Sequence, residues 1–170
     1  MMAAVLTLAL GFPSPVEAQV PAPPPMPAPV VSDSSFRAYL VRFEAGLTAG
    51  LNGDSALYLE NVSHTDDVTL FTPFGGIRRG WPAVEKQYLF ALGRFVPCGA
   101  SVSIEYLSVA VSGDLAYTVT LERSRYCQRG VEGQQSGLTR VTQVYRRENG
   151  SWRMLHRHMD HLQEEPATKP

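Results

Sequence analysis

The chain has 170 residues, 44% hydrophobic and 18% charged, a balance typical of a globular soluble protein of one domain plus a tail. Its 15 Lys and Arg offset 16 Asp and Glu, leaving a formal charge of −1. No basic stripe stands ready to neutralise a run of phosphates, which excludes nucleic acid as the expected partner.

The first 18 residues read as a signal peptide. Ala3 to Phe12 is an apolar run, and Val16-Glu17-Ala18 offers small or short residues where a signal peptidase would cut. Export to the periplasm or the medium is therefore expected, with no membrane span in the mature form, because about ten apolar residues are too few to cross a bilayer. The segment lacks Lys and Arg ahead of the apolar run, so a cytoplasmic domain behind a misassigned start is the alternative. Residues 19–33 alternate Pro with Ala and Met and read as a linker.

Folded structure is expected from Ser34 to about residue 162. A Ser34-Ser35 cap precedes Phe36, Tyr39, Leu40, Phe43, Leu47 and Leu51, which fall on one helical face. Asn52-Gly53 ends that helix, and Asp54 can cap a short second one through Tyr58 and Val62. Val68 to Thr72 is β-branched and aromatic and is closed by Pro73 and Gly75-Gly76, so a short strand is expected. Gly80-Trp81-Pro82 opens a third helix with Trp81, Val84, Tyr88, Leu92 and Phe95 along its apolar stripe. The rest reads as two hairpins. Val102–Val111 and Leu115–Glu122 flank Ser112-Gly113-Asp114, while Leu138–Arg147 and Trp152–Asp160 flank a turn at Asn149-Gly150. Helices first and antiparallel strands afterwards make the fold class α+β. Residues 163–170 are expected to be a flexible tail.

Several strings, taken in order, resemble the nuclear transport factor 2-like superfamily in its SnoaL-like and ketosteroid isomerase-like branches. They are Asn52-Gly53-Asp54, Asp67 to Pro73, Gly80 to Val84, Ser112 to Tyr117 and the terminal hairpin from Arg140 to Arg153. The resemblance covers about Ser34 to His161. It implies a cone-shaped, curved antiparallel sheet with about three helices of the N-terminal half packed on its concave face, enclosing one pocket. Activity does not follow from such a fold, which serves isomerases, cyclases, dehydratases, oligomerisation modules and binding domains alike. The position that matches the steroid isomerases' basic aspartate is Thr72, and their oxyanion tyrosine falls near Phe43 or Gly46. Steroid isomerisation by that mechanism is therefore rejected.

The candidate site rests on the register of the last hairpin. With a two-residue turn at Asn149-Gly150, Tyr145 stands opposite Met154, Gln143 opposite His156, Val141 opposite His158 and Thr139 opposite Asp160. One face then carries Gln143, Tyr145, His156, His158 and Asp160, and the other carries Arg140, Arg146, Arg153 and Arg157. Arginines are costly to bury unpaired, so the histidine face is expected to look inward. There His156 or His158 would act as base with Asp160 or Gln143 orienting it, and Gln143, Tyr145, Tyr58, Phe71, Trp81 and Tyr88 would line the ligand site. Two other readings of His156-x-His158 stay open: half-buried rings bonded to backbone and water, or metal ligands joined by His64 or Asp160. Asp66 and Asp67 read as turn residues.

Cys98 and Cys127 fall opposite each other if the first hairpin turns at Ser112-Gly113, which makes them a disulfide candidate in keeping with export. The function expected is the binding of a small, largely apolar molecule. Proton transfer of isomerase, cyclase or dehydratase type is the expected reaction if there is one, with no organic cofactor. The alternative is a homo-oligomerising interaction module, and a homodimer is the expected assembly.

Overall fold

A computed structural model describes residues 31–162. The expected signal peptide, the linker up to residue 30 and the tail from 163 lie outside the described residues. Helix α1 spans Ser34–Leu51, α2 Ala56–Glu60 and α3 Trp81–Leu92; the strands are β1 Thr69–Phe71, β2 Ile77–Arg79, β3 Phe95–Ser112, β4 Leu115–Gln128, β5 Gln135–Glu148 and β6 Ser151–His161. No described helix is long and apolar enough to cross a membrane.

Asp33, rather than the Ser34-Ser35 pair, caps α1: its carboxylate accepts from the Phe36 N–H at 2.9 Å. The expected apolar stripe then turns onto the sheet, with Phe36, Tyr39, Leu40, Phe43 and Leu47 all buried. Gly46 is the crossing point with α2, where a Cβ would meet the Leu57 carbonyl and Tyr58 Cα at 3.0 Å. The six strands lie in the order β2-β1-β6-β5-β4-β3 in one curved, unclosed sheet. All pairs are antiparallel except β1 with β6. Strand β2 went unforeseen, since Ile77-Arg78-Arg79 is short and mostly charged.

The helices pack on the concave face through aromatic rings. Phe36 meets Tyr145 and Trp152 edge-on at 5.0 Å each, Tyr39 meets Tyr145 at 5.4 Å, Phe43 meets Tyr58 at 5.7 Å and Tyr58 meets Tyr88 at 5.0 Å. Each such pair contributes about 0.5–1.5 kcal/mol beyond area burial, so the aromatic chain fixes α1, α2 and α3 against β5 and β6 as one unit.

Two hairpin registers differ from expectation. On the last hairpin Asn149 (φ 49°) and Gly150 (φ 79°) form the expected turn, and Tyr145 does face Met154. The next pair, however, is Val144 with His156, so Leu155 is an extra residue in β6. The bulge sits where β6 changes neighbour. Met154 still bonds the 61–63 segment through its backbone N–H to Asn61 O and its carbonyl from Ser63 N, whereas His156 is already in register with Thr69 of β1. Beyond a one-residue bulge every side chain changes face. On the first hairpin the turn is Gly113-Asp114, between paired Ser112 and Leu115, and two register shifts place Val96 opposite Cys127. Cys98 lies within the irregular segment between Val96 and Ser101, and it is bonded there to Cys127 with a Cα–Cα distance of 6.1 Å.

Candidate ligand site on the concave face

Inward positions on β4 are the even ones. Ala116, Thr118, Thr120 and Glu122 are buried while Leu115, Tyr117 and Arg123 are exposed. On β5 their partners are Tyr145, Gln143, Val141 and Thr139. On β6, after the bulge, Gln143 faces Arg157 and Val141 faces Met159. The residue from β6 that enters the interior is thus Arg157, 3% exposed, and not a histidine.

Arg157 is paired. Its two terminal nitrogens donate to the Glu122 carboxylate at 2.9 and 2.6 Å, a bidentate contact across β5. Its guanidinium also stands 5.9 Å over the Phe43 ring. Burial opposes the charged form, but the Glu122 carboxylate more than offsets it and holds Arg157 above its ordinary value. Beside this pair, Tyr145 donates its hydroxyl to Gln143 Oε1 at 2.8 Å, Thr118 bonds the Tyr145 hydroxyl at 3.0 Å, and Gln143 Nε2 donates to Met154 Sδ at 3.0 Å. Two buried side-chain atoms have no partner among the described residues: Arg157 Nε and Thr120 Oγ1.

The chemistry of this interior is that of donors. Burial raises the hydroxyls of Tyr39, Tyr58, Tyr88 and Tyr145 above their ordinary values, so all four are protonated near neutral pH. The one carboxylate, Glu122, is occupied by Arg157. Among the described residues of this interior, no unpaired carboxylate or imidazole accompanies these phenols.

The expected lining residues divide. Tyr58, Tyr88, Gln143 and Tyr145 are brought together in the interior. Phe71 is instead half-buried on the outer face, its ring between His156 at 5.1 Å and His158 at 5.4 Å. Trp81 is half-buried at the rim of the core, stacked on His64 at 3.8 Å.

The inward placement of His156, His158 and Asp160 is corrected by the register. His156 pairs with Val144 and Thr69, His158 with Thr142 and Phe71, and Asp160 with Arg140, all on the outer face. His156 Nδ1 lies 2.7 Å from Thr69 Oγ1. Asp160 takes a bidentate contact from Arg140 at 2.8 and 2.9 Å, so it orients no imidazole. Among the described residues no three His, Cys, Asp or Glu side chains gather as a metal-holding group. Asp67 does more than shape a turn: it binds Arg146 at 2.7 Å, with Glu148 on the same guanidinium at 2.8 Å.

Glu122 and Arg157 escaped the sequence reading. The available signal was the lone Glu after Ala116, Thr118 and Thr120 on a face otherwise free of charge, which calls for a buried cation opposite.

Comparison with known proteins agrees with this architecture. A protein of the nuclear transport factor 2-like superfamily from Salmonella enterica serovar Typhimurium superposes with a TM-score of 0.64 at 18% identity, covering 79% of this chain and 94% of its own. A ketosteroid isomerase-like protein from Erwinia carotovora atroseptica gives 0.61 at 16% identity over 77% of this chain and 96% of its own. A protein from Thiobacillus denitrificans, whose name refers to a calcium/calmodulin-dependent protein kinase type II association domain, gives 0.59 at 22% identity over 83% of this chain and all of its own. These likenesses are of fold. No curated protein matches the chain at a significant level. Residues 43–160 match the model of the SnoaL-like domain, and with more than two thirds of its length so matched the chain belongs to the SnoaL-like family.

Proposed function

We propose that this domain binds a small, largely apolar molecule carrying an oxygen acceptor, held between the helices and the concave face of the sheet. The observation that carries this reading is the pair of buried, unpartnered polar atoms, Arg157 Nε and Thr120 Oγ1. Leaving such groups unsatisfied costs about 1–3 kcal/mol each, and an acceptor on a ligand would recover that. Tyr58, Tyr88 and Phe43 supply the apolar wall. The reading is one of binding. Proton transfer by His156 or His158 would have to take place on the opposite face of the sheet, and the interior offers protonated phenols with no free base. A thermal-shift screen of small apolar carbonyl and hydroxyl compounds tests it. Hits should lose their stabilisation in Thr120→Val and keep it in the double variant His156→Ala/His158→Ala. Loss in the histidine variant alone would return the site to the outer face.

A second reading, self-association, is favoured by one observation. Leu115 and Tyr117 are 52% and 42% exposed on the outer face, next to half-buried Val119 and Val144. Arg146 takes no part in it, being committed to Asp67 and Glu148. Sedimentation of the wild type beside Tyr117→Glu tests this: a wild-type dimer turned monomer supports it, and a wild-type monomer ends it.

A further inference from the structure

The outer face holds a groove of about 390 Å³ on the opposite side of the sheet from the concave interior, lined in part by Ser101 and Ser103 of β3, Arg123 and Arg125 of β4, and Ser136 and Leu138 of β5. The register builds it as two cross-strand rows. Ser101, Arg125 and Ser136 stand side by side in one, and Ser103, Arg123 and Leu138 in the next. Such neighbours have Cβ atoms about 4.5–5.5 Å apart, so the Arg125 guanidinium rises between two hydroxyls with a third one row away.

Charge sets this groove apart from the rest of β4 and β5. Five arginines lie on β4 and β5, and four have carboxylate partners: Arg123 with Glu105, Arg140 with Asp160, Arg146 with Asp67 and Glu148, and Arg147 with Asp33 and Asp114. Arg125 has none among the described residues, nor do the hydroxyls of Ser101, Ser103 and Ser136 donate or accept within the described chain, save the strand backbone. Strands β4 and β5 thus neutralise four of their five arginines and leave Arg125 uncompensated in a hollow edged by free hydroxyls; Arg78 and Arg79 of β2 and Arg153 of β6, which also have no carboxylate partner among the described residues, lie outside it. Just beyond it, the Cys98–Cys127 bond ties the irregular end of β3 to β4, which holds Ser101 at its station beside Arg125.

We infer that this groove is a second ligand site, specific for a small oxyanion, with Arg125 as the bidentate anchor and Ser101, Ser103 and Ser136 as hydroxyl donors. A guanidinium fork matches two oxygens of a phosphate or carboxylate at once, and neighbouring hydroxyls saturate the remaining lone pairs. Leu138 gives the groove an apolar wall, so the natural ligand is a small organic acid or phosphate ester with a short carbon body. The site is separate from the concave interior and does not depend on what that interior binds.

The test is an amide NMR titration of the folded domain with sodium phosphate, and separately with citrate, each against sodium chloride at matched ionic strength. Saturable shifts at Ser101, Ser103, Arg125 and Ser136 with phosphate assign a phosphate-bearing ligand, and the same shifts with citrate alone assign a carboxylate. In either case Arg125→Gln should weaken binding by about tenfold, the loss of one charge-assisted fork. Arg125→Lys, which keeps the charge without the fork, should fall between. Equal responses to chloride, no saturation with either anion, or undiminished binding in Arg125→Gln would overturn the site. Because Arg125 is exposed, an unchanged melting temperature in Arg125→Gln excludes misfolding as the cause of any loss.

Discussion

Arg157 reaches from β6 across β5 to hold the Glu122 carboxylate of β4 with both terminal nitrogens, and the two side chains are 4% and 6% exposed. Desolvation makes such a pair a weak source of net stability, yet removing one member strands a buried charge. Arg157→Met and Glu122→Leu should therefore each destabilise the domain by about 3–5 kcal/mol. The double variant should regain most of that loss, a large coupling between contacting residues. Equilibrium denaturant unfolding measures all three; single variants near wild type would show that water, not the partner, solvates each charge.

Thr120 presents the opposite case, a buried hydroxyl that bonds nothing. Valine has nearly its shape and no hydroxyl to desolvate. Thr120→Val should raise the unliganded domain's stability by about 1 kcal/mol, at the low end of the cost of an unsatisfied group, and weaken any interior ligand that uses the hydroxyl. A gain in stability joined to a loss of ligand marks a functional position; a loss in stability would mean that the hydroxyl has a partner in solution.

How far the sequence alone leads is visible in β6. The helices were legible because Phe36, Tyr39, Phe43 and Leu47 recur at helical spacing and are buried as a stripe. The Asn149-Gly150 turn and the register as far as Tyr145 with Met154 were legible as well. The next step was not, since nothing in Met154-Leu155-His156 announces a bulge. Its cause lies in distant segments, the 61–63 stretch and β1, which take successive backbone partners along β6. One inserted residue then exchanged the two faces of β6 beyond Met154, so the rule that arginines face outward held for Arg140, Arg146 and Arg153 and failed at Arg157, which is buried against Glu122. Tyr58, Tyr88, Gln143 and Tyr145 were identified correctly as interior because they precede the bulge or lie on other elements.

Leu155 is accordingly the residue that decides which side chains of β6 enter the interior beyond Met154. Deleting it would join Met154 to His156 in the pairings they already have, Tyr145 with Met154 and Val144 with His156, so the hairpin would become regular with His156 and His158 still outward and Arg157 still inward. The deletion variant should therefore fold cooperatively and keep the near-ultraviolet circular dichroism of the wild type. Loss of cooperative unfolding would show that the bulge itself is needed to pass β6 from the 61–63 segment to β1.

His156 reports on the outer face by its protonation. Burial, and after it the nearby His158, holds its imidazole below the ordinary value, while Thr69 bonds Nδ1 and Phe71 covers the ring. The folded state thus binds a proton at His156 less readily than the unfolded chain. The stability this contributes is fully present above the unfolded value of about 6.5 and is lost as the pH falls through it toward the folded one. Asp67 and Asp160, held low first of all by hydrogen bonds from Arg146 and Arg140, add a second loss only below about pH 4. Imidazole NMR should find His156 titrating below 6.5; a midpoint at or above that value contradicts its half-buried placement.

The Cys98–Cys127 bond closes 29 residues of sequence separation, and it does so at the end of the sheet where β3 and β4 lose their regular ladder between Val96 and Ser101. Chain-entropy arguments give a loop of that size about 3–4 kcal/mol. The observed effect should fall below that figure, because β3 and β4 are already joined by a continuous antiparallel ladder from Ser101 to Ser112 apart from one shift, and the hairpin forms without the bond. Reduction, or Cys98→Ser/Cys127→Ser, should therefore lower stability by about 1–3 kcal/mol and increase amide exchange chiefly from residue 95 to residue 101. Exchange that rises evenly over β3 and β4 would mean that the bond supports the whole hairpin and not its irregular end.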